Sequence, residues 1–237
     1  MLPGEDRDDP RLAECSTLPA DELASLLAYF REGGCDNLRA LLRRFARHAG
    51  ALLDCAEPRP LPRCGGYAPP GQAIELDRLL ATLPRGKPVI PLVFYRSMLL
   101  AADVAPIDAL AAALEARGLA PAPLFVTSLK DTESAAFLRD AMRRLKPSVI
   151  VTTTAFAATG EGAAESPLDE MDVPVLQAVV ATTKRAAWLD SPRGLGAADL
   201  AMHVVLPELD GRVLAGAIAF KNQSPPVDGL SFAATAN

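Results

Sequence analysis

The sequence predicts an α/β fold: a flavodoxin-like or Rossmann-like, mostly parallel sheet flanked by helices and preceded by a helical hairpin region. Two observations predict it. From Val89 onward, short apolar runs alternate with segments of helical period. Before that point, two stretches of helical period are joined by a glycine pair. Because right-handed crossovers join successive strands, the first strands should be parallel.

Three regions are predicted along the chain. Residues 1–71 form the helical hairpin and a proline-rich linker, residues 72–221 a three-layer α/β domain, and residues 222–237 an irregular tail. The linker, residues 54–71, contains five prolines and two adjacent glycines. Such a composition is incompatible with a helix or a central strand, so we expect neither there.

The hairpin is predicted from two apolar stripes. The first helix should bury residues at i, i+3, i+4 and i+7, which are Leu23, Leu26, Leu27 and Phe30. It should end at the glycine pair that begins with Gly33, and Asp36 should cap the second helix. The stripe of the second helix is Leu38, Leu41, Leu42, Phe45, Ala49 and Leu52. His48 lies outside this stripe and is interpreted as an ordinary polar histidine.

Six strands follow from the apolar runs. They are predicted at residues 89–95, 123–127, 149–153, 173–180, 204–206 and 213–220. A helix should begin near Pro106 and another at Asp131, with shorter helices at 74–83, around Trp188 and at 199–202. The last two strands are expected to form an antiparallel addition to the parallel sheet.

Composition excludes several classes of protein. The net charge of -5 argues against a general nucleic-acid surface, because phosphate binding needs clustered Lys and Arg. No apolar run reaches the roughly 18 residues of a membrane span, and the acidic residues 1–10 do not form a secretory signal. We therefore expect a cytoplasmic protein. The cysteines contain no C-x-x-C pair and are expected to be reduced thiols: Cys15, Cys35, Cys55 and Cys64.

Nucleotide-hydrolysis and hydrolase motifs are missing. Gly86-Lys87 is followed by Pro88 where a P-loop needs Ser or Thr, and no G-x-S-x-G elbow occurs. Residues 160–162 lack the third glycine of a nucleotide loop. They lie in a long loop, residues 157–172, which is either a flexible lid or a surface excursion.

Basic and hydroxyl side chains follow the predicted strands, at the edge where open parallel sheets bind ligands. These residues are Tyr95, Arg96, Ser97, Thr127, Ser128, Lys130, Thr152, Thr153, Thr154, Thr182, Thr183, Lys184 and Arg185. The set suits carboxylates, amides or an acidic partner. Among these residues, Arg96 is the strongest candidate for contacting a ligand or a partner. The alternative is that Arg96 is structural and pairs with an internal carboxylate.

An acidic turn near the end of the chain is a second candidate. Glu208 and Asp210 are two residues apart, beside Gly211, which permits a positive φ. The carboxylates could bind a divalent cation or accept a hydrogen bond from a pyrrole N–H. Alternatively, they could cap the turn and pair with Arg212. His203 precedes them on a predicted strand, where it is either buried or functional.

Several motifs occur in an order that resembles one family. The two most unusual are Phe94-Tyr95-Arg96-Ser97 and Leu206-Pro207-Glu208-Leu209-Asp210-Gly211-Arg212. Further matching segments are residues 2–4, 29–34, 105–110, 114–119, 125–131, 152–156, 172–177, 193–195, 199–202 and 220–221. Nearly the whole chain thus resembles the large subunits of aerobic cobaltochelatases (CobN), within the cobaltochelatase and magnesium-chelatase large-subunit superfamily.

The resemblance implies a function. It implies a segment of the tetrapyrrole-binding large subunit of an ATP-dependent cobaltochelatase, a ligase that forms metal–nitrogen bonds by inserting Co²⁺ into hydrogenobyrinic acid a,c-diamide. Implied partners are the remainder of the large subunit and AAA+ motor subunits that hydrolyse ATP. This segment alone should bind no cofactor and be inactive.

The resemblance also suggests roles for individual residues. Glu208 and Asp210 are catalytic candidates, and His203 with Glu208 the metal candidates. The candidates for binding the tetrapyrrole are Arg96, Thr153, Gln177 and Arg193. This chain departs from the family at Met98, where the family usually has a histidine.

Two alternatives remain open. One is a magnesium-chelatase H-type subunit, which inserts Mg²⁺ into protoporphyrin IX. The other is a non-catalytic scaffold or motor-docking domain, since the α/β part contains little histidine and no cysteine.

Overall fold

The structure, a computed structural model, describes residues 11–158, 166–222 and 233–236. The described residues divide into two compact units. One contains the residues up to Leu61 together with Leu99–Ala102. The other contains Pro62–Met98 and the described residues from Asp103 onward. No described helix has the length and apolarity needed to cross a membrane. The predicted boundary between residues 71 and 72 stays a prediction.

The first unit contains the predicted helical hairpin. Its helices are α1 (Arg11–Glu14), α2 (Ala20–Glu32) and α3 (Gly34–His48). Gly33 joins the last two with a φ of 54°, a conformation that favours glycine. A Cβ at Gly33 would lie only 2.9 Å from the Leu100 carbonyl oxygen, so both space and backbone require glycine there.

The orientation of α3 differs from the prediction. Leu42, Phe45 and Leu52 of the predicted stripe are exposed, whereas the buried face includes Asn37 and Ala40 besides Leu41. Polar contacts draw that face inward. The Asn37 side chain bonds the backbone of Arg59, and Arg44 pairs with Glu22 of α2. Phe30 of the first stripe is also exposed. Asp36 is not the cap, because Gly33 occupies that position.

The described strands of the second unit form one eight-stranded sheet in the order β2-β1-β4-β3-β5-β6-β7-β8. They are β1 (Cys64–Ala68), β2 (Gln72–Ile74), β3 (Val89–Tyr95), β4 (Ala120–Val126), β5 (Ile150–Thr152), β6 (Val175–Ala181), β7 (Val213–Asn222) and β8 (Ala233–Ala236). The five strands from β3 to β7 are mutually parallel, whereas β1, β2 and β8 are antiparallel additions. The parallel strands have the flavodoxin-like order, which confirms the predicted fold class.

Helices cover both faces of this sheet. They are α4 (Leu76–Thr82), α5 (Arg96–Leu100), α6 (Ala105–Glu115), α7 (Thr132–Leu145), α8 (Arg185–Asp190), α9 (Ala197–Leu200), a π-helix (Ala201–Val205) and α10 (Leu206–Glu208), with a 3₁₀ turn at Asp169–Met171. On one face, α4 and α7 pack on the strands through Leu79 and Leu138. On the other face, α6 packs through Ala111.

The predicted linker, residues 54–71, contains a strand, so the prediction that it would exclude one is wrong. β1 pairs with β2 and β4, although residues 54–71 were expected to exclude a central strand. All five linker prolines lie outside β1, so they do not interrupt its hydrogen bonds. Its glycines allow neighbouring side chains to pack closely against the strand. A Cβ at Gly65 would lie 3.0 Å from the Phe125 ring, and a Cβ at Gly66 would lie 3.1 Å from the Leu79 side chain.

The end of the domain also differs from the prediction. Residues 204–206 form no strand, because α9, the π-helix and α10 run without a break from Ala197 to Glu208. His203 therefore lies on a helix. A short apolar run such as 204–206 has the same pattern in a buried helix and in a strand. β7 pairs parallel with β6, so the expected antiparallel pair is wrong.

Some predicted features lie outside the described residues. These are the glycine loop at 160–162 and most of the tail after Asn222. The described end of the long loop packs inward, since Leu168 is buried in the core.

Candidate functional site

The central strand β5 ends before its neighbours. Its last residue, Thr152, pairs with Val93 of β3 and Gln177 of β6, whereas those strands continue to Tyr95 and Ala181. β3 and β5 are also the strands between which the flavodoxin-like order reverses its direction. Ligands bind at such switch points in open α/β sheets, so this region is the first candidate site.

The chain after β5 fills this space. The Thr153 N–H donates to the Val93 carbonyl oxygen at 2.9 Å. The Tyr95 hydroxyl donates to the Ala155 carbonyl oxygen at 2.7 Å. Burial raises the pKa of Tyr95, which keeps this hydroxyl a donor. The segment is thus fastened to β3 by backbone and side-chain bonds.

Arg212 completes a buried polar network here. Its Nη1 donates to the Thr154 carbonyl oxygen at 3.1 Å and to Gln177 Oε1 at 3.2 Å. Gln177 Nε2 donates to the same Thr154 oxygen at 3.1 Å. Burial lowers the pKa of Arg212, and the nearby Asp210 carboxylate opposes that shift. Arg212 Nε has no hydrogen-bond partner among the described residues.

Asp210 is the counter-ion of Arg212. Its Oδ2 lies 2.9 Å from Arg212 Nη2 and also accepts a hydrogen bond from the Ala158 N–H. The two acidic residues of the turn therefore have different environments. Asp210 is buried in the network, as the structural alternative for this turn predicted, whereas Glu208 is exposed.

Glu208 lies on an apolar surface. It is the last residue of α10, and Val205 and Leu209 are three residues before it and one after it. Positions 205, 208 and 209 share one side of a helix, and the two apolar side chains are 55% and 73% exposed. A carboxylate in this setting can accept a proton or meet a cation from solution while the apolar groups contact a ligand.

His203 faces the protein interior. It is 8% exposed, and its Nδ1 has no hydrogen-bond partner among the described residues. Burial lowers the pKa of His203, and the charge of Asp199 opposes the shift only in part. His203 is therefore buried whereas Glu208, its predicted partner in metal binding, is exposed. The described residues contain no cluster of three or more His, Cys, Asp or Glu side chains that could bind a metal.

The predicted tetrapyrrole-binding residues fall into two groups. Thr153 and Gln177 are buried around the end of β5. Arg193 is exposed after α8, and its backbone N–H binds the Ser191 hydroxyl at 3.2 Å. Arg96 is half-buried at the start of α5, where its Nε donates to the Pro62 carbonyl oxygen at 2.8 Å. The structure therefore joins Thr153 and Gln177 in one region and leaves Arg193 on the surface.

Sequence reasoning missed the role of Asp199. This residue is 1% exposed and accepts four hydrogen bonds, from the backbone N–H and the hydroxyl of both Thr182 and Thr183. Burial alone would raise the pKa of Asp199, but these bonds lower it below its usual value. Asp199 thereby fastens α9 to the carboxyl end of β6. The sequence signal, one acidic residue in an apolar helix, does not identify its distant partners.

Comparison with known proteins identifies relatives. A family model described as CobN/Magnesium Chelatase matches residues 27–234. The aerobic cobaltochelatase subunit CobN of Pseudomonas aeruginosa is 40% identical over 221 residues, which are 93% of this chain and 18% of that protein. The CobN subunit of Sinorhizobium sp is 39% identical over 238 residues, covering 94% of this chain and 18% of that protein.

A magnesium-chelatase subunit and a solved cobaltochelatase structure are also similar to this chain. The magnesium-chelatase H subunit of Cereibacter sphaeroides is 29% identical over 200 residues, which are 78% of this chain and 17% of that protein. The solved catalytic subunit of cobaltochelatase from Mycobacterium tuberculosis superposes with a TM-score of 0.80 and 25% identity, covering 99% of this chain and 19% of that one. The chain therefore spans about a fifth of the length of these relatives.

Proposed function

This chain belongs to the CobN/magnesium chelatase family, and we propose that it is a segment of the tetrapyrrole-binding large subunit of an ATP-dependent cobaltochelatase. The proposed reaction inserts Co²⁺ into hydrogenobyrinic acid a,c-diamide. Support for cobalt comes from the identities, which are 40% and 39% to two CobN subunits and 29% to a magnesium-chelatase H subunit.

The chemistry needs a proton acceptor beside an apolar surface. As Co²⁺ enters the macrocycle, ring N–H protons must leave while the ion exchanges its water ligands. Glu208 is an exposed carboxylate beside the exposed Val205 and Leu209. In the proposal, the apolar side chains contact the macrocycle face. Glu208 either accepts a proton from a ring N–H or binds Co²⁺ transiently before the ion enters the macrocycle. This setting of Glu208 is the single observation that carries the proposal.

The buried network positions this surface. Asp210 and Arg212 tie the turn after α10 to the segment after β5. Asp210 therefore acts through the position of Glu208, and His203 has a packing role. Arg96 remains the residue proposed to bind a carboxylate or amide of the macrocycle. Gln177 and Thr153 support the segment that follows β5 from the protein interior.

The proposed partners follow from the family. They are the remainder of the large subunit and an AAA+ motor that hydrolyses ATP, with Co²⁺ as a substrate of the complex. The proposal gives this chain no resident cofactor and no activity alone. A cytoplasmic location stays a prediction.

A chelation assay tests the role of Glu208. The Glu208→Gln substitution is made in the full-length large subunit, and Co²⁺ insertion is measured with the motor subunits and ATP. We expect a loss of about 100-fold or more, as for removal of a proton-transfer group. Glu115→Gln, at the exposed end of α6, is the matched control and should retain activity. Unchanged insertion by folded Glu208→Gln would refute the assignment.

A non-catalytic scaffold is the second candidate. The observation that favours it is the burial of Asp210, Gln177, Thr153 and His203 in packing and structural contacts. On that account, substitutions at Glu208 would leave both macrocycle affinity and chelation unchanged, whereas changes in the network would only lower stability.

A further inference from the structure

The solvent side of α3 carries a row of arginines on one flank and two apolar side chains on the other. Arg39, Arg43 and Arg47 are spaced four residues apart and form a cationic row. Leu42 and Phe45, which are 66% and 41% exposed, form an apolar row. Residues three or four apart lie on the same helix side, so the arginines share one flank of α3 and the two apolar side chains share the other. We call these five residues the α3 docking face.

Only one of the three arginines in the cationic row has an ion-pair partner among the described residues. Arg39 pairs with Asp36 across one helical turn, at 3.0 Å. Arg43 and Arg47 are exposed, and neither has an ion-pair partner among the described residues. Arg44 points to the other side of α3, where Glu22 binds it. In a chain with net charge -5, this row is a local positive surface.

A groove extends the cationic row. It lies between α3 and the segment near residue 57, and its lining residues are Asp36, Asn37, Arg39, Ala40, Arg43, Ala56, Glu57 and Arg59. Its two carboxylates already have cationic partners, since Asp36 pairs with Arg39 and Glu57 with Arg44. The buried Asn37 fixes its far wall. Its amide donates to the Arg59 carbonyl oxygen at 2.8 Å and accepts from the Arg59 N–H at 2.9 Å. The wall that carries Arg59 is therefore held before any ligand arrives.

We propose that the α3 docking face binds an acidic amphipathic helix of a partner protein. Such a helix would place a row of Glu or Asp against the arginines and a row of Leu or similar residues against Leu42 and Phe45. Steps of four residues advance about 6 Å on both helices, so acidic residues at that spacing can face the three arginines over about two turns. Ala46, small and half-buried, lies between the rows and permits close approach.

The arrangement favours a protein helix over a membrane or a nucleic acid. A membrane-surface helix needs a broad apolar face bordered by basic residues, whereas the arginines here lie to one side of only two large apolar side chains. A nucleic acid would use the arginines but would leave Leu42 and Phe45 in water.

The test uses the whole chain and a designed probe. The probe is a fluorescent helical peptide of about 20 residues, with Leu at i, i+3, i+7 and Glu along one flank, followed by anisotropy. A second peptide replaces each Glu by Lys. We expect saturable binding of the Glu peptide that weakens with salt, and binding of the Lys peptide that is weaker by about tenfold or more.

Variants locate the binding. Arg43→Glu with Arg47→Glu should weaken the Glu peptide by about tenfold or more and should strengthen the Lys peptide. Leu42→Ser with Phe45→Ser should weaken the Glu peptide by a similar factor. The matched control, Arg85→Glu with Lys87→Glu, changes exposed charges elsewhere by the same amount and should bind as the unaltered chain does.

Three results would overturn the proposal. One is no saturable binding of the Glu peptide up to about 1 mM. Another is a lack of specificity, seen as equal binding of both peptides or as equal weakening by the control variant. The third is that phosphatidylserine vesicles or duplex DNA bind through Arg43 and Arg47 while the Glu peptide does not. Since all these residues lie apart in sequence from Glu208, failure here leaves the chelatase proposal untouched.

Discussion

Arg212 Nη2 lies 2.9 Å from Asp210 Oδ2, and each side chain is only 1% exposed. The pair is two residues apart in sequence, yet its other bonds reach Ala158 and Thr154, more than fifty residues earlier. It therefore connects the start of β7 to the segment after β5. A pair buried to this degree is costly to break on one side, because the remaining charge is left without compensation.

Removal of Arg212 should be more damaging than removal of both charges. We expect Arg212→Met to lower the free energy of unfolding by about 3–5 kcal/mol, since the buried Asp210 carboxylate loses the Arg212 charge that lies 2.9 Å from it. The double variant Arg212→Met with Asp210→Asn should lose less than the sum of the single variants. Urea denaturation of the four proteins measures this coupling. Additive losses would show that the two side chains are not energetically coupled.

His203 should make stability depend on pH. Burial lowers the folded pKa of His203 below its ordinary value of 6.5, so the unfolded chain binds the proton more tightly. The contribution is present above about pH 6.5 and is lost as the pH falls through the folded pKa, by at most about 1.4 kcal/mol per pH unit. His203→Gln should have a flatter profile between about pH 7 and 5 in denaturation experiments. Parallel profiles would contradict the assignment.

Asp199 should be essential for the junction between β6 and α9. Asp199→Asn places an amide N–H₂ against donor groups of Thr182 or Thr183, and we expect a loss of about 2–4 kcal/mol. Asp190→Asn, at an exposed position, is the control. Because the folded pKa of Asp199 is lowered, its contribution holds above its ordinary value of 3.8 and falls in more acidic solution. Equal unfolding midpoints for Asp199→Asn and the control would refute this role.

Glu22 should stabilise the helical hairpin in a pH-dependent way. Hydrogen bonds from Arg44 and His48 lower the pKa of Glu22 from 4.5 to about 2. The stabilisation is therefore complete above about pH 4.5 and is lost as the pH falls toward 2. Glu22→Gln should lower the free energy of unfolding at neutral pH by about 1–3 kcal/mol. The gap to the unaltered protein should close in acid, and a gap that stays constant would argue against the ion pair.

Local signals made much of the fold predictable. β3 has the predicted bounds, Val89–Tyr95, because a continuous apolar run is typical of a strand buried on both faces. Asp131 caps α7 through the Ser134 N–H, and Pro106 lies in the first turn of α6, as predicted. In each case the chemistry that determines the element lies within a few residues of it.

Pairing between distant segments was harder to predict. β4 contains Pro121 and Pro123, which sequence rules place away from a central strand. The fold tolerates both because β1 pairs with β4 only from Leu124 to Val126, so neither proline faces a partner strand on that side. The parallel placement of β7 likewise depends on its pairing with β6, which no local pattern reveals.

The candidate site was predictable only in part. The types of residue at the strand ends were evident, and the pairing of Asp210 with Arg212 was one of two alternatives for the turn. Their burial was not evident, because it depends on the segment after β5, which is distant in sequence. The exposure of Glu208 beside Val205 and Leu209 was missed since residues 204–206 were interpreted as a strand.

The most direct test of the central claim is macrocycle binding by this chain. The chain is titrated with hydrogenobyrinic acid a,c-diamide, and the macrocycle absorbance is followed. We predict saturable micromolar binding that Leu209→Ser and Glu208→Gln each weaken by about tenfold or more, while Leu189→Ser, at another exposed apolar residue, leaves it unchanged. No binding by the folded chain, or equal binding by all three variants, would contradict the claim.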